Sequence, residues 1–264
     1  MSSVKDNKRR AAEKLNQKRG QLIVKRNDFI QKARHQLSLQ EQKIVLYLIS
    51  HVKPNDTDFT EQVFSIAEFC RFCGMHEDSG KNYSDIKNAL KSLRDRSVWI
   101  ELENGSETTL SWINKATINQ RSGIIRLKLD EDLKPFLLLL TEQYTLYEIR
   151  YTLAMKSQYS IRLYELLKSY AYKKNVTFEI DELKRLLDAE NHKLNGHFKN
   201  KVLDIAVREI NEYTDISVEY SFQKEGRRYA HVWFSIDRKE ALDRFIAGDK
   251  INQAIDGKNS RGAE

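Results

Sequence analysis

Two segments of the chain repeat one another at an offset of 114 residues, and this limits the fold more than any other feature. From Phe64 the sequence reads FSIAEFCRFCG, and from Phe178 it reads FEIDELKRLLD. Phe64, Ile66, Glu68 and Arg71 recur as Phe178, Ile180, Glu182 and Arg185. Phe69, Phe72 and Cys73 become Leu183, Leu186 and Leu187, which keeps the apolar spacing. Two copies at a domain-sized period mean a duplicated domain rather than a solenoid. A chain of 264 residues gives each copy room for its own core.

The flanks follow the same order in both halves. An amphipathic helix precedes each copy: LSLQEQKIVLYLISHV from Leu37, with Ile44, Tyr47 and Leu48 at helical spacing, and SQYSIRLYELLKSYAY from Ser157, with Ile161, Tyr164 and Leu167. A short strand, VFSI or VTFEI, leads into a second helix, and Ser65 with Glu68 has capping-box spacing. A polar loop follows, and then a third helix. Its apolar face is Tyr83, Ile86, Leu90 and Leu93 in the first half, and Phe198, Val202, Ile205 and Ile210 in the second. Alternating β sequence closes each unit: SVWIELENGSETTLSWINKATI with a turn at Asn104-Gly105, and ISVEYSFQKEGRRYAHVWFSI with a turn near Gly226.

That order is a winged helix-turn-helix written twice, an α+β chain of tandem domains related by internal duplication. The boundaries read as a basic disordered arm over 1–21, a first domain over 22–148, a second over 149–247, and a disordered tail over 248–264. The link between the domains falls around Thr141 to Lys156.

The glycine-lysine stretch GMHEDSGKN, Gly74 to Asn82, looks at first like a phosphate loop. It has five residues between its glycines instead of four, and Asn82 where magnesium needs Ser or Thr. It falls between the second and third helices, where Gly74 fits a helix C-terminal glycine. Cys70 and Cys73 form a C-x-x-C with His76 nearby, but zinc wants a further ligand or pair. Both occupy apolar positions of the repeat. The six histidines never fall two apart, so no His-x-His metal site serves a nucleophilic tyrosine. These readings predict no cofactor, no metal and no enzymatic activity. Two cysteines, a polar N-terminus and no apolar run of roughly 18 residues point to a reducing, cytoplasmic setting without a membrane span.

The charge is uneven. Residues 1–27 carry nine basic groups, Lys5, Lys8, Arg9 and Arg10 among them, against Asp6 and Glu13. This is the whole net charge of +7, and residues 28–264 are formally neutral. A basic arm on a neutral body suits a protein that meets polyanions. In the second unit Lys193 and His197 stand at the entrance of the third helix, and Lys199, Asn200, Lys201, Asp204 and Arg208 along its polar side. Lys224, Arg227 and Arg228 crowd the hairpin tip. Lysine and asparagine at such positions can read guanine and adenine edges, aspartate can accept from cytosine, and a basic tip can grip phosphate. The first unit offers Lys81, Asn82, Ser84, Asn88 and Lys91, with Asp85, Lys87 and Arg94 beside them, but its hairpin tip ENGSET is acidic.

The segments LIVKRNDFIQKARHQLSLQEQKIVLYLIS, SQYSIRLYELLKSY and FKNKVLDIAVREINEYTDISVEY resemble theta-type, iteron-binding plasmid replication initiators, over roughly Leu22 to Ile236. The resemblance implies two winged-helix domains that bind direct repeats at an origin and help to melt it. It also implies recruitment of host replication proteins such as the initiator and helicase, and repression of the protein's own operator by a dimer formed through the N-terminal domain. The main DNA contacts then fall to the second-domain helix. For Arg162, in RLYELL, two roles stay open, a backbone contact or a brace of the helix pair. A winged-helix transcription regulator without a role in replication is the alternative, and an interaction protein with a dimerising first domain is a third reading.

Overall fold

A computed structural model of the protein describes residues 13–53, 55–75, 79–102 and 105–256. The first domain opens with α1 (residues 13–19), β1 (Leu22–Arg26) and α2 (Asn27–Lys32), followed by α3 (Leu39–Ile49). Ser38 starts α3 with a complete capping box: its hydroxyl accepts from Glu41 N at 3.3 Å, and the Glu41 carboxylate accepts from Ser38 N at 2.6 Å. β2 (Gln62–Ser65) then leads into α4 (Ile66–Phe72), where the Ser65 hydroxyl accepts from Glu68 N at 3.0 Å. The third helix, α5 (Ser79–Asp95), buries Ile86, Leu90 and Leu93, as its spacing predicts.

The β sequence that follows divides in a way the alternation does not reveal. β3 (Ser97–Glu101) and β4 (Glu107–Ser111) form a two-stranded hairpin of their own. Its strand β3 bridges to Arg34, through Arg34 N to Trp99 O at 2.7 Å and Trp99 N to Arg34 O at 2.9 Å. The winged sheet is instead built by β5 (Ile113–Ile118) and β6 (Ile124–Leu129), in the order β2-β6-β5. The acidic ENGSET turn therefore belongs to an added hairpin and is not the wing of this domain. Asn104, half of the turn signal, lies outside the described residues.

After α6 (Lys134–Leu137), β7 (Tyr144–Glu148) returns to pair antiparallel with β1, and α7 (Arg150–Leu153) leads into the second domain. There α8 (Gln158–Tyr170), β8 (Asn175–Glu179) and α9 (Ile180–Leu186) repeat the order of α3, β2 and α4. The third helix runs as α10 (Asn195–Phe198), a π turn (Lys199–Leu203) and α11 (Asp204–Tyr213). β9 (Ile216–Glu225) and β10 (Arg228–Arg238) complete a sheet in the order β8-β10-β9, the same spatial order as in the first domain.

The duplication extends to single hydrogen bonds. α4 ends with Met75 N bonded to Cys70 O at 2.8 Å and Gly74 N to Arg71 O at 3.2 Å. At the same offset of 114, α9 ends with Ala189 N bonded to Lys184 O and Asp188 N to Arg185 O, at 2.8 and 3.2 Å. Both are Schellman closures, with Gly74 at φ 64° and Asp188 at φ 56° in the left-handed position. The sequence reading of Gly74 as a helix C-terminal glycine is thus met in backbone detail.

Both chain ends depart from expectation. The arm expected to be disordered over 1–21 is helical from residue 13, because Arg19 is buried against the end of α4. Its guanidinium donates to Phe72 O at 3.0 Å and Arg71 O at 2.9 Å. Lys5, Lys8, Arg9 and Arg10 lie outside the described residues. The tail expected to be disordered from 248 forms α12 (Ala241–Asp256), whose Ala247, Ile251 and Ile255 are buried at a four-residue spacing. Residues 257–264 lie outside the described part.

The domains meet along α8. Lys25 of β1 pairs with Glu165 at 2.6 Å, both buried, and the Tyr147 hydroxyl of β7 donates to the same carboxylate. Burial holds the Lys25 ammonium below its usual pKa, against the opposing pull of Glu165. Lys43 donates to Leu153 O at 2.7 Å and Gln42 to Gln158 O at 3.2 Å, which ties α3 to the second domain as well. Glu165→Gln leaves Lys25 buried without its counter-charge, so urea unfolding should show a loss of about 3–5 kcal/mol. The triple variant Lys25→Met, Tyr147→Phe, Glu165→Leu removes the carboxylate together with its two hydrogen-bond donors and should lose less than Glu165→Gln, with Arg162 still held by the Ala33 and Leu186 carbonyls.

Candidate nucleic-acid interface

The exposed side of the second-domain third helix is set by its π turn. Asp204 N–H bonds to Lys199 O, five residues back, which widens the helix at Lys199–Leu203. The apolar face rotates accordingly. Phe198, Val202, Leu203, Ala206 and Ile210 are buried, whereas Ile205, predicted for that face, is only half-buried. Lys199, Asn200, Lys201 and Arg208 project from the opposite side and are exposed, as are Lys193 and His197 at the entrance.

Two of these residues are engaged within the protein. Asp204 accepts from Lys199 Nζ at 2.9 Å and from the Tyr220 hydroxyl of β9 at 2.6 Å. The Tyr220 hydrogen bond, then the Lys199 charge, hold the Asp204 carboxyl below the usual range. Asp204 thus fastens the helix to its wing and pairs with Lys199 at the surface. Asn200, Lys201 and Arg208 carry the exposed hydrogen-bonding groups.

Below this face, the helix is anchored by residues that spacing alone does not single out. Lys184 of α9 donates to Lys193 O at 3.2 Å and Asn195 Oδ1 at 3.3 Å and lies over the Phe198 ring, which fixes the turn between the two helices. Glu209 is buried and accepts from the backbone of Lys156 at 3.1 Å and Ser157 at 3.3 Å. This places a carboxylate at the N-terminus of α8. In the repeat Lys184 stands at the position that Cys70 fills in the first copy.

The wing supplies the second half of the surface. β9 and β10 join through a two-residue turn, Gly226 at φ 61° and Arg227. Lys224, Arg227 and Arg228 are exposed around it, with Lys224 over the Tyr229 ring at 5.1 Å. Helix and tip thus present cations from two elements toward one partner, the arrangement that grips phosphates on either side of a groove.

In the first domain Lys81, Ser84, Asn88 and Lys91 share one exposed face of α5, and Asn82 is half-buried. Lys87, Lys91 and Arg94 line a groove of about 540 Å³ against Asn114 and Lys115 of β5. The wing tip beyond them is Asn119 to Gly123. Asn119 Oδ1 accepts from Arg121 N at 3.0 Å and Ser122 N at 3.1 Å, leaving the Arg121 side chain exposed. With β5 and β6 as the wing, a cation and not an acidic turn stands at the tip of this surface.

Arg162 does not join either face. It is buried, its Nε donates to Leu186 O at 3.0 Å, and its terminal nitrogen donates to Ala33 O across the domain boundary. Burial, foremost, lowers its pKa. As a DNA contact Arg162 is thus withdrawn: its position on the inner side of α8 makes it the brace of the helix pair. Cys70 and Cys73 are buried, and burial pushes the Cys73 thiol up to about 12, so it stays protonated at neutral pH. His76 lies outside the described residues. Among the described residues no group of three or more His, Cys, Asp or Glu is placed to hold a metal, and no helix is long and apolar enough to cross a membrane.

Comparison with known proteins bears on the family and the fold. A family model described as "Initiator Replication protein, WH1" matches residues 22–168, and one described as "Initiator Rep protein, WH2" matches 179–236. The chain belongs to the initiator Rep protein family. It is 24% identical over 219 residues to an uncharacterized 27.6 kDa protein of Escherichia coli, covering 77% of this chain and 91% of that relative. A crystal structure of the Pi initiator protein in complex with iteron DNA superposes with a TM-score of 0.67 at 21% identity, covering 84% of this chain and 99% of that one. This likeness supports the tandem winged-helix fold. The family models stop short of α1 and α12, so both terminal helices lie outside the shared core.

The exposed cations of this Rep protein are separable from its braces by experiment. On duplex DNA, Lys201→Ala and Arg208→Ala should each weaken binding about tenfold and lower the slope of log affinity against log salt by about one, with melting unchanged. Arg162→Ala should lower the melting temperature and leave the salt slope as it is.

Proposed function

We propose that this chain is a plasmid replication initiator that binds direct repeats at an origin. The observation that carries the reading is the presence, in one chain of an initiator Rep family, of two recognition helices each paired with a basic wing. The iteron complex of the structurally similar Pi initiator supports the choice of repeats as the target. Arg121 and the groove at Lys87, Lys91, Arg94 and Lys115 support a DNA contact by the first domain too. The protein works by binding, not by catalysis, in the cytoplasm. Bound along several repeats, it strains the duplex toward melting and recruits the host initiator and helicase. A dimer formed through the N-terminal domain binds an inverted repeat at its own operator.

Two helices set one turn apart should cover about 20 base pairs. Selection from random duplexes with the full chain, followed by footprinting, should recover a non-palindromic site of about that length. Between 50 and 200 mM salt the affinity should fall by about 10³ or more if six or more phosphates are contacted. Recovery of a single palindromic operator, with no support of plasmid maintenance in cells, would replace the initiator reading by that of a transcription regulator.

A further inference from the structure

The helix α12 leaves the second domain after β10 and packs on α7 and α11. Its far end reaches the other domain. A Cβ built on Gly74 would lie 2.3 Å from Ile255 Cγ2 and 3.0 Å from Ile255 Cα, so Ile255 sits directly on the helix-turn-helix turn of the first domain. Ile255 is 2% exposed and belongs to the same buried cluster as Cys73 and Phe72.

The duplication provides an internal control for this contact. Gly74 and Asp188 hold the same position of the same Schellman closure, with φ of 64° and 56°. The left-handed conformation alone therefore does not demand glycine in this chain; aspartate satisfies it in the second unit. What distinguishes Gly74 is the Ile255 backbone packed against it. The glycine is the imprint of α12 on the first domain.

The other contacts between domains include Lys25 to Glu165, Arg162 to Ala33, Gln42 to Gln158, Gln31 to Ser169 and Lys43 to Leu153, which join α2, α3 and the β1–β7 ribbon to α7 and α8, and Gln36 to Asp188 beside them. Held on that side alone, the two domains would keep freedom to rock. A second point of attachment, at the turn that leads into α5, removes that freedom. We propose that α12 is an intramolecular clamp, with Ile255 and Gly74 as its positioning residues, that fixes the separation of the two recognition helices and hence the spacing of the DNA segments they read. The inference rests on the initiator reading only for its DNA consequence.

The decisive measurement needs no DNA. Spin labels on Asn88→Cys and Asn200→Cys, one per recognition helix, report the distance between the domains; Cys70 and Cys73 are buried and stay unlabelled. The clamped chain should give one narrow distance distribution. Ile255→Asp, which puts a charge against the Gly74 backbone, should broaden it at least twofold, and Ile255→Val should restore it. Ile255→Ala is the milder loss should the aspartate variant not fold, with circular dichroism as the control for folding. An equally narrow distribution in a folded Ile255→Asp or Ile255→Ala chain overturns the clamp. With the unlabelled native helices, one base pair inserted between the two halves of the selected repeat should cost the unmodified protein tenfold or more in affinity. The same insertion should cost the Ile255 variant less than twofold. A tenfold cost in both would also overturn the clamp, whereas no repeat binding by the unmodified protein would count against the initiator reading alone.

Discussion

Most of this architecture hangs on charges buried along one helix. Glu165 and Arg162 lie on the inner side of α8, and between them they hold Lys25, Tyr147, Ala33 and Leu186. A carboxylate and two cations in an apolar interior are tolerable only while every partner is in place, because each would otherwise bear most of its desolvation cost. The set therefore admits one arrangement of the β1–β7 ribbon on the second domain and one placement of the end of α2. β1 and β7 flank the winged sheet of the first domain in sequence, so the seam on which it meets its partner follows from the same few atoms.

The recognition surface is organised by the same logic on a smaller scale. Lys184 and Glu209 are buried beneath the second-domain helix and bond to backbone at its turn and at the start of α8. Asp204 and Tyr220 join the helix to its wing at the surface. The wide π turn between these anchors sets the directions in which Lys199, Asn200 and Lys201 leave the helix. The exposed cations of this surface thus depend on polar residues buried behind them.

The first domain shows how a surface is misjudged when one strand is missed, because the β sequence read from the chain stops at Ile118, before β6. Both hairpins after α5 alternate well, and the first carries the stronger turn signal. Only the pairing of β6 with β2 makes the second hairpin the wing. With it the tip changes from acidic to Arg121, and the domain acquires a basic groove beside α5.

The repeat at an offset of 114, the helical and alternating apolar periods and the capping residues at Ser38 and Ser65 act over a few turns of chain. They were therefore enough to fix a tandem winged-helix architecture, the place of each third helix and the exposed cations upon it. The left-handed closure at Gly74 was local too. Decisions between distant parts of the chain were not. Arg162 and Lys184 are cations whose roles reverse with burial, and burial depends on which helix comes to lie against them. Residues 13–19 and α12 are short or polar enough to look unstructured alone, and they gain order from Phe72, Arg71 and Gly74 of another element. Which hairpin becomes the wing was settled by the pairing of β6 with β2, because a strand's own pattern shows which face is buried but not its neighbour.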